Sequence, residues 1–265
     1  MSIKIETVLS SARKSQIESL VFLCLKASPA PLSVPADGDV YFFMEEPSAL
    51  GNGSTELLGL LALYETEEHV WECSAFTRPD KRQTGIFSTL LDAAEKAYPE
   101  DQFSFPVPDS KECLPALKTL ETLGAELWYQ EHLMALDADN PAWNTLFTKP
   151  DGISLSLSIT PSEQTEEENS QLVQAFSEGP LVASCSLSIE QHNALKTCCL
   201  HHVFVPEPLR NRGYGTLFLK ALLPLLKQQG VSRFLLQVSG SNLPAIALYK
   251  KTGFRITETL SYYLY

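Results

Sequence analysis

The chain has no long apolar run, no cysteine pair at metal or redox spacing, and no surplus of positive charge. The first absence leaves no stretch near the roughly 18 residues that a membrane-spanning helix needs. Leu20 to Leu25 is apolar but short, and reads as part of a buried helix. The start, Met1-Ser2-Ile3-Lys4-Ile5-Glu6, lacks the apolar centre of an export signal, so the expected location is cytoplasmic with reduced thiols. The six cysteines (Cys24, Cys73, Cys113, Cys185, Cys198, Cys199) form no C-x-x-C pair, and the five histidines are scattered, so no metal site is expected. Twenty Lys and Arg against 32 Asp and Glu give a net charge of -12, which argues against nucleic acid as a partner. An acidic surface is compatible with a cationic amine, and equally with plain solubility.

What is present is an internal repeat. Phe76-Thr77-Arg78-Pro79-Asp80-Lys81-Arg82-Gln83-Thr84-Gly85 parallels Phe204-Val205-Pro206-Glu207-Pro208-Leu209-Arg210-Asn211-Arg212-Gly213. Each runs from a strand end through a polar turn to an arginine and a glycine before an apolar helix. Gly85 and Gly213 stand 128 positions apart; Gly124 and Gly253 stand 129 apart. Leu114-Pro115-Ala116-Leu117 likewise parallels Leu243-Pro244-Ala245-Ile246. Two matches in one order at nearly one offset point to two related α/β domains, 1–137 and 153–265, joined by a turn-rich segment 138–152. Trp143, Leu146 and Phe147 in that segment are expected to pack between the two halves rather than hang free.

Residue periodicity predicts strands at 3–7, 39–44, 57–64, 70–76, 102–107 and 126–136 in the first half, with helices at 10–27, 85–97 and 112–123. The second half predicts strands at 153–159, 172–176, 181–189, 195–205, 234–238 and 256–264, with helices at 214–229 and 244–251. Thr160-Pro161-Ser162-Glu163 has the form of a capping box with proline in the first turn, which favours a short helix there. With room for at most one helix before Leu172, the second domain is trimmed at its start. Pro224, inside the helix after Gly213, is expected to bend or locally break it.

The chemistry concentrates at Arg210-Asn211-Arg212-Gly213-Tyr214-Gly215-Thr216. Glycines there let the backbone approach a ligand, and the free N–H groups of a helix start suit a phosphate. Alone, this supports only a phosphate-binding turn. Two features further on add to it: Asn242 ahead of the next helix, and Ala245-Ile246-Ala247-Leu248-Tyr249-Lys250-Lys251-Thr252-Gly253-Phe254 within and after it. This order resembles the GNAT acetyltransferase superfamily, whose pyrophosphate loop R/Q-x-x-G-x-G/A is matched by Arg210, Gly213 and Gly215. The family's later A-x-x-L-Y-x-x-x-G-F is matched by Ala245, Leu248, Tyr249, Gly253 and Phe254. The resemblance covers about residues 172–265.

The resemblance implies two tandem GNAT folds, each a mixed twisted sheet flanked by helices, and direct acetyl transfer from acetyl-CoA to a primary amine. It implies that residues 210–216 hold the pyrophosphate and that backbone groups near Val203 and Val205 bond the thioester. It further implies that Asn242 touches the pantetheine arm and that Tyr249 protonates the departing thiolate. Many relatives place a glutamate on the strand before the loop, at about the position of Cys199 here, yet 195–205 holds no carboxylate. His201 and His202 are the nearby candidates for the base, and water is a third. In the first half Phe87 stands in place of Gly215, Cys113 in place of Asn242 and Leu120 in place of Tyr249, so that copy is expected to keep the fold without ordinary catalysis. The acceptor is a small-molecule or peptide amine, and a monomer is the preferred state. The competing reading is a non-catalytic acyl-CoA sensor or structural pair.

Overall fold

The computed structural model describes residues 1–30, 32–48, 55–147, 154–161, 170–193 and 195–265. They divide into two compact units, one of residues 1–129 with 260–265, the other of residues 130–259.

The first unit contains β1 (Ser2–Glu6), α1 (Ser11–Ala27), β2 (Val40–Pro47), β3 (Thr55–Glu67), β4 (Val70–Thr77), α2 (Ile86–Ala97), β5 (Gln102–Pro108), α3 (Leu114–Leu123) and the start of β6 (Glu126–Asp137). Its sheet runs β1-β2-β3-β4-β5 and ends on residues 260–264 of β12 (Arg255–Leu264). Only the β4–β5 pair is parallel. Both faces of the sheet are covered, which is why β2 and β3 read as near-continuous apolar runs rather than alternating ones. Ile17, Leu20, Val21 and Cys24 of α1 pack on Tyr41, Phe43 and Leu60 from one side. Leu90, Leu91 and Ala94 of α2 and Leu120 of α3 pack on Phe42, Leu61 and Phe103 from the other. The Ser10 hydroxyl caps α1, accepting from the Arg13 N–H at 3.2 Å. Arg13 is itself buried over the Phe43 ring and pairs with Glu6 and with Glu45, whose second oxygen lies 2.8 Å from the Lys4 ammonium. Burial pushes the Glu45 carboxyl up, but hydrogen bonds from Lys4 and Arg13 outweigh it and hold it below its ordinary value.

The second unit contains the rest of β6, α4 (Trp143–Leu146), β7 (Ser156–Pro161), β8 (Ser170–Phe176), β9 (Leu181–His192), β10 (Leu195–Phe204), α5 (Tyr214–Gln228), β11 (Arg233–Ser239), α6 (Leu243–Lys251) and the first half of β12. Its sheet runs β6-β11-β10-β9-β8-β7, with β10–β11 as the parallel pair. Here one core lies on one face, where Phe218, Leu219, Leu222, Leu223 and Leu226 of α5 meet Cys185, Leu187, Leu200 and Phe234. The strands accordingly alternate: Cys185 and Leu187 of β9 face the core, while Ser184, Ser186 and Ser188 are half-buried on the other side.

The final strand of each sequence half is thus counted with the other unit: Glu131–Asp137 of β6 pairs with β11, and Leu260–Leu264 of β12 pairs with β5. This exchange distinguishes the units from the division at 137 and 153 read from the sequence. A strand's side-chain alternation is the same whichever sheet it joins, so periodicity carries no sign of it. The described part of the connecting segment is built into the second unit. Trp143 is buried, its ring stacks at 6.0 Å on Phe234, and the Lys227 ammonium lies 4.3 Å above it. Residues 148–153 lie outside the described residues.

Two expectations are corrected. Thr160 and Pro161 end β7, paired with Leu172 and Gln171, instead of opening a helix. β7 is an edge strand, where proline's missing N–H is tolerated; Ser162 and Glu163 lie outside the described residues. Pro224 does not break α5, which runs as one helix from Tyr214 to Gln228. Leu222, Leu223 and Leu226, none of them exposed, hold the turn on each side of it to the core.

Candidate functional site

The site of the second unit grows from a fault in β10. Its parallel pairing with β11 runs from Thr197↔Arg233 to Leu200↔Leu236 and stops there. On the other side, β10 pairs with β9 as far as His201↔Ser186 and resumes at Phe204↔Ser184, so His202 and Val203 together oppose Cys185. That is a β-bulge, and His202 takes the left-handed conformation, φ 51°. A bulge bends its strand and turns backbone groups out of the ladder. A non-glycine residue in this region costs about 1 kcal/mol. The result is a wedge between β10 and β11, with Val203 turned toward the core and His201 and Phe204 exposed.

Beyond the wedge the chain makes a single 3₁₀ turn, Glu207–Leu209, and then the glycine loop. Arg210 is extended, Asn211 has φ 60°, and Gly213 has φ 86° as the residue before α5. No side chain caps α5, so the N–H groups of its first turn, at Tyr214, Gly215 and Thr216, are left for a ligand or solvent. The Arg210 Nε–H donates to the Val205 carbonyl at 3.1 Å and staples the loop to the strand end, while Arg212 is exposed. The two glycines serve different ends. A Cβ on Gly213 would meet nothing within 4 Å, so its requirement is conformational. A Cβ on Gly215 would stand 3.0 Å from Leu248 Cδ2 and 3.6 Å from Val205 Cγ2, so its requirement is close packing of α5 on α6.

On α6 the Asn242 Oδ1 accepts from the Ala245 N–H at 3.2 Å and caps the helix. Tyr249 lies one helical stretch further, 6% exposed, its ring edge-on to Phe254 at 6.0 Å. Burial pushes its phenol up to about 12, with the Cys185 thiol adding to the shift; Cys185 is the residue facing the bulge. Among the described residues nothing hydrogen-bonds the Tyr249 oxygen, although a buried phenol usually finds a partner. His201 is on the opposite face of β10 from this core. It is exposed, with Nε2 3.1 Å from the Ser188 hydroxyl. Tyr249 and His201 therefore flank the bulged strand from its two faces. The bulge, the Ser188 contact and the role of Leu248 behind Gly215 had no sequence signal, because each depends on cross-strand register or helix packing.

The first unit repeats the loop closely. Arg82 is extended (φ -64°, ψ 152°, against φ -64°, ψ 155° at Arg210), Gln83 has φ 62°, and Gly85 has φ 84°. A cleft of about 480 Å³ lies beside it, lined by Gln83, Ser88, Leu114, Lys118, Thr119 and Thr122. Its wedge is made differently. The β4–β5 pairing stops at Glu72↔Ser104, but β4 runs against β3 without a bulge from Trp71 to Thr77. Phe103 exchanges both backbone hydrogen bonds with Tyr265, and the Gln102 N–H donates to His69. By alternation the N–H positions of residues 104, 106 and 108 point toward β4. Two of those are Pro106 and Pro108, which have no N–H to give. Phe87, in the place of Gly215, packs edge-on to Phe105 at 5.9 Å, and Leu120, in the place of Tyr249, is buried.

The second unit thus sets a parted parallel strand pair beside a glycine turn. Residues 134–254 match the model of the acetyltransferase (GNAT) family. A GCN5-related N-acetyltransferase from Sphaerobacter thermophilus is similar in fold, at TM-score 0.64 and 14% identity over 99% of this chain and 95% of that one. A tandem GNAT protein from the clavulanic acid biosynthesis pathway gives TM-score 0.66 at 16% identity, over 100% and 98%. A GCN5-related glucosamine N-acetyltransferase region of a fungal multi-domain GH3 β-N-acetylglucosaminidase gives 0.68 at 15%, with 100% of this chain spanning 38% of that one. No curated protein sequence matches the chain. The GNAT acetyltransferase family is thus matched by residues 134–254, and the chain as a whole has the fold of a tandem GNAT protein. The family match of residues 134–254 suggests acyl transfer to an amine.

Proposed function

We propose that the second unit transfers the acetyl group of acetyl-CoA directly to a primary amine, on a small molecule or a peptide. The observation that carries this is Tyr249: a phenol with no hydrogen-bond partner among the described residues, beside the strand whose bulge follows the end of its parallel pairing with β11. The backbone donors of residues 213–216, with Arg212 and Arg210 nearby, suit the pyrophosphate. The wedge between β10 and β11 suits the pantetheine arm, with the side-chain NH2 of Asn242, whose oxygen caps α6, as a further donor. Backbone N–H groups released near Val203 and Val205 stabilise the oxyanion as the amine nitrogen bonds the carbonyl carbon. His201 takes a proton from the attacking nitrogen. The carbon–sulfur bond breaks, and the Tyr249 hydroxyl gives its proton to the sulfur. Leu120 cannot do this in the first unit, which we assign a supporting role without turnover.

The test is release of free thiol from acetyl-CoA over a panel of primary amines, with acetyl-CoA binding measured alongside. Turnover with at least one amine is expected. Binding without thiol release across the panel would replace this reading by that of an acyl-CoA sensor.

A further inference from the structure

We propose that Ser188 is a positioning residue for His201: it holds Nε2 and so leaves Nδ1 as the nitrogen that accepts the amine's proton. This rests on the proposed function. Strand order supports it. β10 has β9 on one side and the wedge on the other, and Ser188 belongs to β9. In the register Ser186 stands opposite His201 and Ser188 opposite Cys199, so Ser188 reaches His201 on the diagonal, at 3.1 Å from Nε2. In the tautomer this proposal assigns, Nε2–H donates to the Ser188 hydroxyl on the side away from the wedge, while Nδ1 has no partner among the described residues. A histidine nitrogen that donates to an oxygen carries the ring hydrogen and leaves the lone pair on the other nitrogen. His202 follows at once in its left-handed bulge, fixing where the backbone delivers the imidazole.

The proton balance is simple. The acceptor's N–H bond breaks, an Nδ1–H bond forms, and Nε2–H stays on Ser188 throughout. Titratable groups facing this imidazole are Cys199 on its own strand, the His202 ring at 6.5 Å, Glu190 two residues beyond Ser188 on β9, and Arg233 on β11 opposite Thr197. Arg233 is directed at Asp137, 3.7 Å away.

The experiment compares Ser188→Ala, Ser188→Thr and His201→Gln in the full chain by pH–rate profile and by ¹⁵N histidine NMR without substrate. Ser188→Ala should lower kcat about tenfold with KM for acetyl-CoA unchanged, since only orientation is lost. Ser188→Thr should restore it. His201→Gln should remove the acid limb of the profile, and adding Ser188→Ala to it should cost nothing more. In the NMR, the Nε2–H proton of His201 should be visible in the wild type and lost to exchange in Ser188→Ala. Wild-type kcat in Ser188→Ala beside an impaired His201→Gln overturns the positioning role while leaving acetyl transfer standing. An unchanged Nε2 signal in Ser188→Ala overturns it whether or not the protein turns over. A wild type that shows the bond but releases no thiol overturns the transfer reading, and the base role with it.

Discussion

Replacing Tyr249 separates two jobs that one side chain could hold. The ring belongs to the core of the second unit, and the oxygen belongs to no hydrogen bond within the described protein. Tyr249→Phe keeps the ring and removes only the oxygen. With no partner lost, stability should change by less than about 0.5 kcal/mol, or less than about 2 °C in Tm for a protein of this size. Tyr249→Ala removes the ring and leaves a cavity, costing about 3–5 kcal/mol and about 10 °C or more in Tm. The kinetic effect does not follow stability, because both substitutions remove the hydroxyl. Positioned acids contribute about 10²–10⁴-fold, so Tyr249→Phe should lower kcat at least about 100-fold, or about 2.7 kcal/mol of barrier, with acetyl-CoA affinity nearly intact. Burial also sets the pH dependence. A phenol pushed up to about 12 stays protonated across the working range, so Tyr249 should cause no alkaline loss of kcat below about pH 11. Thiol-release kinetics, titration of acetyl-CoA and thermal melts on the two variants check all three statements. A Tyr249→Phe protein with kcat within twofold of wild type refutes the acid. One that melts like Tyr249→Ala refutes the claim that the hydroxyl is partnerless.

Gly213→Ala should cost about 1 kcal/mol of stability, because its φ of 86° is strained for any side chain, and should weaken CoA binding measured by calorimetry. Gly215→Ala should leave Tm nearly unchanged, because the new methyl meets only the flexible end of Leu248 and alanine is favoured in a helix by about 1 kcal/mol; a loss of several degrees would show that Leu248 cannot move. His69 is raised by its hydrogen bond to Asp101 at 2.7 Å, so its stabilising contribution is complete below the ordinary histidine value and fades as pH rises through the raised one. Melts of His69→Asn and wild type should therefore converge on the alkaline side of that range and separate on the acid side. Glu45 has the opposite sign: its contribution holds above the ordinary carboxylate value and is lost as pH falls through the lowered one. Glu45→Gln should cost about 3 kcal/mol in denaturant unfolding at neutral pH, the low end for breaking a buried pair, since Arg13 keeps Glu6.

The fold was legible where a single element decides its own fate. Ser10 before the helical run marks the start of α1, and Gly85 and Gly213 mark the starts of α2 and α5, because caps and left-handed turns are local chemistry. Thr160-Pro161 shows the limit. Its local pattern favours a helix start, yet pairing with Leu172 and Gln171 gives those residues partners as strand. At the site, Arg210, Gly213 and Tyr249 stand out because their residue types are unusual for a bare turn or a core helix. Ser188 does not, because serine on the wet side of a strand is ordinary and only the register brings it to His201.

The two units also show why a conserved backbone does not make a conserved chemistry. The loops at Arg82–Gly85 and Arg210–Gly213 share their backbone angles while differing in most side chains, so loop shape alone cannot assign activity. The wedges differ where it counts. In the second unit an inserted residue opens β10, and a bulge keeps every N–H while redirecting it, which is what an oxyanion needs. In the first unit Pro106 and Pro108 hold β5 away from β4 by deleting donors, and β4 stays regular against β3. One device acts on the strand before the glycine loop and redirects its donors; the other leaves that strand regular and removes two donors from the strand facing it. Add Leu120 for Tyr249, and the first unit keeps the loop of the second without its phenol and without its bulge. The asymmetry thus follows from the backbone as much as from the missing tyrosine. Under the proposed chemistry, restoring Leu120 to tyrosine alone would place a phenol beside an opening that lacks the bulge of β10.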